Sequence, residues 1–168
     1  WSFKLQDLAN NYSVDGVQTA IVRLMAAYVH LIDDDRLEEW PDLFTDGGIY
    51  RVTTRENIDL GLPASLIFCE GKGMLSDRVS ALRNANIFEP QVYCHTLGLP
   101  EILESTDEHH RVRTNFSVIR TMEEGDMSVF ACGRYFDRII KDDDVLRFQE
   151  RIVVLDSRRV DTLLVIPL

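Results

Sequence analysis

Residues 127–155, MSVFACGRYFDRIIKDDDVLRFQERIVVL, decide the fold. Two long runs, Met127 to Ile140 and Val145 to Leu155, are rich in β-branched and aromatic residues, and Lys141 to Asp144 is a short polar break between them. Such residues suit a pleated, half-buried surface, and short polar segments between them close hairpins. Working backwards, the same period of two runs through Tyr93, His95, Leu97 and Leu99, with Cys94, Thr96 and Gly98 in between. It runs again through Val112, Thr114, Phe116 and Val118, interleaved with Arg111, Arg113, Asn115 and Ser117. Glu123 to Asp126 reads as another polar turn, and a last strand is expected near Thr162 to Ile166. These strands are expected to be antiparallel neighbours in a meander.

The first half of the chain keeps a different period. Val17, Ile21, Leu24, Met25, Tyr28, Leu31 and Ile32 recur at steps of three and four, which predicts a helix burying one face. Asp15 with Gln18 has the form of a capping box at its start. Asp33, Asp34 and Asp35 fall where the helix dipole disfavours negative charge and mark the stop. Leu37, Trp40, Leu43 and Phe44 predict short helical turns interrupted by Pro41, which lacks an amide hydrogen. Asp46, Gly47 and Gly48 precede a first strand from Ile49 to Thr54. Residues 55–72 keep no clean period and read as a long irregular excursion that covers a partner or a site, with Leu66, Ile67 and Phe68 as an exposed apolar cluster. Gly71 and Gly73 read as a turn into a third helix carrying Met74, Leu75, Val79 and Leu82. Helices first and a long, curved, mostly antiparallel sheet after is an α+β plan, with the sheet wrapped as a half-open cone around the first helix.

Composition narrows the function. The 168 residues are the size of one domain, and with no repeat, linker or low-complexity stretch a single domain over 1–168 is expected. Eighteen Lys and Arg against 28 Asp and Glu give a net charge of −10, which argues against nucleic acid and anionic membrane as partners, since both reward clustered positive charge. The three cysteines, Cys69, Cys94 and Cys132, form no CxxC pair and no disulfide framework, as expected in a reducing cytoplasm. No apolar run approaches the roughly 20 residues that cross a bilayer, and the opening WSFKLQDLANNYSVDGVQTA lacks the apolar core of a signal peptide.

Several segments, in order along the chain, carry a resemblance. YVHLIDDD and LEEWPDLFTDGGIYRVTTREN, followed by an all-strand half, look like the NTF2-like or SnoaL-like cone fold. GMLSDRVSALRNANIFEP, YCHTLGLPEI, GRYFDRIIKDDDVLRFQERIVVLDS and the closing DTLLVIPL further resemble the small (beta) subunits of aromatic-ring-hydroxylating dioxygenases, in the branch acting with terephthalate, salicylate and anthranilate oxygenases. The likeness covers about residues 17–168. It implies a structural small subunit that supports an α3β3 assembly, forming a trimer with itself and binding a large (alpha) subunit. In that family the large subunit carries the Rieske [2Fe-2S] cluster and the mononuclear iron, with electrons delivered from NAD(P)H through a reductase, and the substrate is an aromatic compound, here an aromatic carboxylate.

The residues agree with that division of labour. A Rieske centre takes two Cys and two His, and only Cys94 has a His within five residues. A non-haem iron site needs two His and a carboxylate converging, whereas adjacent His109 and His110 on a strand point to opposite faces. No metal or cofactor ligand set is therefore expected in this chain. There is no Gly-rich phosphate loop and no GxSxG elbow.

One constellation supports a different reading. Asp33 and His95, flanked by His30, Tyr50 and Trp40, fall where other cone-fold members such as scytalone dehydratase are understood to hold an Asp–His general-base pair. A neutral imidazole held by a carboxylate removes protons at physiological pH. The alternatives to a non-catalytic subunit are thus a stand-alone lyase or isomerase using Asp33 and His95, or a small-ligand binding module. Glu150, taken to share a strand face with Phe148 and Ile152, is expected to be a buried partner for an Arg.

Overall fold

A computed structural model describes residues 15–85, 89–158 and 164–168, with the side chain of Asp15 outside that description. The capping box of Asp15 and Gln18 therefore lies outside it too; Gln18 instead donates through Nε2 to the Pro100 carbonyl at 2.9 Å. Helix α1 runs Asp15–Asp33 and ends where the acidic run begins. Asp35 turns the chain in a left-handed conformation, φ 57°. A 3-10 helix, Leu37–Leu43, contains Pro41; in so short an element the missing amide hydrogen forfeits a single backbone bond. Strand β1 spans Phe44–Thr54, α2 Arg55–Asp59, β2 Ile67–Glu70 and α3 Gly71–Asn84. The second half is β3 Gln91–Leu97, β4 Glu101–Ser105, β5 His110–Met122, β6 Met127–Asp142 and β7 Val145–Leu155.

The seven strands form one open sheet in the order β2-β1-β7-β6-β5-β3, with β4 paired to β5 beyond the end of β3. Strands β5, β6 and β7 are the expected meander. The turn between β6 and β7 uses Asp143 and Asp144 at positive φ, a conformation that Asp tolerates. The sheet is mostly antiparallel, as expected; the exception is β1, which pairs in parallel with β7 and, with β2 on its other side, lies inside the sheet. The expected irregular excursion is also partly regular. It holds α2 and the edge strand β2, whose alternation buries Ile67 at 6 % exposure and turns Leu66 and Phe68 out at 50 % and 49 %. Leu66, Ile67 and Phe68 are thus not one exposed cluster, because a period of two splits neighbours between faces. Helix α3 already includes Gly71 and Gly73, so these are its first turn and not a lead-in. The strand expected near Thr162 to Ile166 falls partly on residues outside the description, and Leu164 to Leu168 are not strand.

The core lies between α1 and the inner face of the sheet. Ile21, Met25, Tyr28 and Ile32 of α1 join Trp40, Phe44, Tyr50, Tyr135 and Phe148 in one buried cluster. Tyr28 meets Phe148 and Tyr135 edge-on, with ring centroids 5.7 and 6.0 Å apart, and Trp40 stands perpendicular to Tyr50 at 5.1 Å. Side chains of this size each stabilise by about 1.5–3 kcal/mol on full burial, so this aromatic packing seats α1 in the cone. The tail closes it: Tyr28 donates its hydroxyl to the Leu168 carbonyl at 2.6 Å, and Arg78 donates to the carbonyls of Leu164 and Val165 at 2.7 and 3.0 Å. Gly133 lets β6 pass close to β7, since a Cβ there would meet the Val154 carbonyl oxygen at 2.0 Å.

Candidate functional site

Asp33 and His95 do meet. Strand β3 is an edge of the sheet, so every second backbone N–H has no ladder partner, and that of His95 donates to Asp33 Oδ2 at 2.8 Å. Its Nδ1 lies 2.6 Å from Asp33 Oδ1, the arrangement in which an imidazole N–H donates to a carboxylate. The last residue of α1 thereby clasps both the backbone and the side chain of an edge strand. His30 is exposed and lines, with Met25, Val29, His95, Leu97 and Pro100, a groove of about 290 Å³. Trp40 and Tyr50 are committed elsewhere, to each other and, for Tyr50, to the Leu168 carbonyl at 3.3 Å.

The chemistry of this pair is limited by access. With Nδ1 facing the carboxylate, Nε2 is the nitrogen that a base would use. It is buried without a hydrogen-bond partner among the described residues, and the imidazole has no accessible surface. A general base must come within hydrogen-bond reach of the proton it takes; His95 borders the groove, but its buried Nε2 is not presented to it.

A second acid–base pair, not foreseen from the sequence, lies deeper. Arg151 donates through Nε and Nη2 to the two carboxylate oxygens of Asp137 at 2.7 and 2.8 Å, with both side chains wholly buried. The guanidinium stacks against Tyr28, Tyr135 and Phe148 at 3.9, 4.3 and 4.0 Å from their ring centres, a cation–π cage. Burial works against the Arg151 charge, but Asp137 and the ring hydroxyls outweigh it and the guanidinium holds its proton more tightly than usual. Burial pushes the Asp137 carboxyl up, against the pull of Arg151. Glu150 is not the buried partner expected of it. A bulge places Phe148 opposite Ile139 but Glu150 opposite Arg138, so Gln149 is an extra residue. The extra residue reverses the parity of the strand, turning Arg151 inward and leaving Glu150 half-buried.

The donors that an iron–sulfur cluster or an iron ion would need do not converge. Cys94 and His95 are neighbours on β3, so the thiol is exposed on the outer face while the imidazole is buried on the inner one. Cys69 is buried on β2 and Cys132 exposed on β6. His109 and His110 face Thr106 and Ser105 respectively, as part of the turn between β4 and β5. No group of three His, Cys, Asp or Glu among the described residues is placed to hold a metal ion. No described helix is long and apolar enough to cross a membrane.

The architecture is that of the NTF2-like cone. A Novosphingobium aromaticivorans structure described as a scytalone dehydratase superposes with TM-score 0.67 at 18% identity, covering 86% of this chain and 88% of that one. Within that class, a sequence model described as the ring hydroxylating beta subunit matches residues 28–162, and the chain belongs to this family. It is 45% identical to the terephthalate 1,2-dioxygenase terminal oxygenase component subunit beta 2 of a Comamonas species, over 88% of this chain and 96% of the relative. It is 37% identical to the anthranilate 1,2-dioxygenase small subunit of Burkholderia cepacia, over 88% and 92%. A crystal structure described as the beta subunit of an aromatic-ring-hydroxylating dioxygenase from Novosphingobium aromaticivorans shares 37% identity and superposes with TM-score 0.85, covering 93% of this chain and 99% of that one. These relatives are components of oxidoreductases, and this chain is a small subunit of the same kind.

Proposed function

We propose that residues 1–168 act as one structural domain, the small subunit of a terminal oxygenase that hydroxylates an aromatic carboxylate, assembled with a large subunit as α3β3. In this reading the large subunit holds the Rieske cluster and the mononuclear iron, receives electrons from NAD(P)H through a reductase, and selects the ring; this chain contributes no catalytic residue. The observation that carries the reading is the sealed imidazole of His95, whose only polar contacts among the described residues are with the Asp33 carboxylate. A pair so placed fastens α1 to β3 and does not present His95 as a base. Self-association is supported by an apolar strip on the outer sheet face. Cross-strand register aligns Val92 with Met127 through Thr121, and Ile119 with Val129. All four apolar residues are exposed, Met127 and Val129 by more than 70%, which is how an uncovered interface core looks.

The test is to purify the chain with and without its cognate large subunit. The expected result is an iron-free trimer alone, and a complex of equal subunit numbers whose iron and turnover reside with the large subunit. Replacing His95 by Ala in that complex is expected to leave product formed per iron within about twofold, because losing a true general base lowers rate by about 10²- to 10⁴-fold. A monomer that never binds the large subunit, or a hundredfold loss of turnover with iron and assembly intact, would overturn the proposal.

A further inference from the structure

Opposite the core, the outer face of the sheet carries a groove of about 620 Å³ between α2 and strands β5, β6 and β7. Its floor is apolar, made by Phe136, Ile152 and Val154, and Phe136 is 38% exposed. Its walls carry four guanidiniums, Arg55, Arg111, Arg113 and Arg134, against the single carboxylate of Asp59. That is an inversion of sign on a chain of net charge −10.

The four cations are unequally engaged. Arg134 reaches Asp156 at 2.6 Å and Arg55 shares the same oxygen at 3.3 Å. Among the described residues, Arg111 and Arg113 make long contacts, to Glu104 at 3.7 Å and to Glu101 and Asn115 at 3.5 and 3.4 Å, with their side chains 62% and 37% exposed. Exposed pairs at such distances are worth little, so these two guanidiniums are ready to exchange their carboxylates for better placed ones. Arginine offers a planar fork that grips carboxylates with two parallel bonds, and arginine beside a half-exposed aromatic ring is the composition of an interface hot spot.

We propose that this groove is a docking site for the large subunit and that it receives an acidic segment with an apolar anchor, the carboxylates meeting Arg111 and Arg113 and the anchor covering Phe136. The inference rests on the small-subunit reading above. A second copy of the chain is the less favoured occupant, because the apolar strip of Val92, Ile119, Met127 and Val129 already supplies a surface for self-association elsewhere on the same face.

The test measures binding of the purified cognate large subunit to the full chain by titration calorimetry, with three variants. Arg111→Glu with Arg113→Glu reverses the wall charges, Phe136→Ala removes the floor, and Arg23→Glu with Arg36→Glu makes the same change of net charge on exposed residues away from the groove. The expected result is that the groove reversal weakens binding by at least about tenfold, that Phe136→Ala weakens it severalfold, and that the remote reversal leaves it unchanged. Wild-type binding also loosens with added salt, and the groove reversal loses that salt dependence. Equal binding by all variants overturns the inference. So does a groove reversal that alters self-association while still binding the large subunit normally, which assigns the groove to a contact between copies. If the charge reversal does not fold, judged by circular dichroism, Arg111→Ala and Phe136→Ala carry the same comparison. A wild-type chain that does not bind the large subunit removes the small-subunit reading itself, and is told apart from these outcomes by needing no variant.

Discussion

Asp33 with His95 and Asp137 with Arg151 are both acid–base pairs that tie one element to another, yet they sit in opposite surroundings. The first lies at the rim, where Asp33 keeps 18% of its side chain exposed and clasps an edge strand. The second lies at the centre, caged by three rings, with neither side chain reached by solvent. The rim pair has the residue types of a catalyst and none of the access. The central pair has the residue types of a surface salt bridge and carries the packing of the core. In this cone, depth decides what a pair does more than the chemistry of its members.

The largest expected effect breaks the central pair. Arg151→Leu leaves the Asp137 carboxylate buried alone and is expected to cost about 3–5 kcal/mol in urea unfolding. Replacing both, Arg151→Met with Asp137→Leu, is expected to recover most of that loss, because two uncharged side chains need no partner. If the double variant were as unstable as the single one, the cage would be held by ring contacts with the cation and not by the pair.

The rim pair is expected to matter less. Asp33→Asn weakens the clasp on the His95 ring and amide and is expected to cost about 1–3 kcal/mol, read from the same unfolding curves. Loss of more than the central pair gives would reverse the comparison.

The smallest effect at neutral pH grows with alkali. Tyr28, Tyr50 and Tyr135 are buried, and burial raises each phenol above its ordinary value of 10.0. Each therefore binds its proton more tightly folded than unfolded. Their share of stability is fully present below about pH 10 and is lost as pH rises from there toward the folded values. Titration followed by phenolate absorbance is expected to show Tyr28, Tyr50 and Tyr135 resisting ionisation until the chain unfolds. Smooth ionisation of all three near pH 10, with the fold intact, would show the core to be open to water.

Much of this arrangement is legible in residue order, and the exceptions have physical causes. Period alone places α1, and gives β7 its bounds at Val145 and Leu155, because each buries one face against a continuous core. The meeting of Asp33 with His95 is legible through the family resemblance; helical phase alone argues against it, and it succeeds because α1 ends at that residue. Arg151 is hidden by the bulge at Gln149, since a strict alternation from Phe148 assigns the inner face to Glu150. One bulge moves the assignment by a residue and exchanges a carboxylate for a guanidinium. The parallel pairing of β1 is equally silent, because strand periodicity does not record which neighbour a strand takes.

That parallel pairing also governs when the fold can exist at all. Ile49 to Thr54 find their partners at Glu150 to Leu155, about a hundred residues later. During synthesis β1 must wait with one edge unpaired until β7 emerges, and α1 waits with it for Tyr135 and Phe148. Loop-closure entropy of that span is met before the β1–β7 ladder returns it, which predicts slower folding than the local β5–β6–β7 hairpins alone would give. Ribosome-bound chains halted at Asp144 are therefore expected to stay open to protease, whereas released full-length chains close. A subunit made this way is safest when its partner is already at hand, since its apolar outer strip and its unpaired strands are exposed over the same interval.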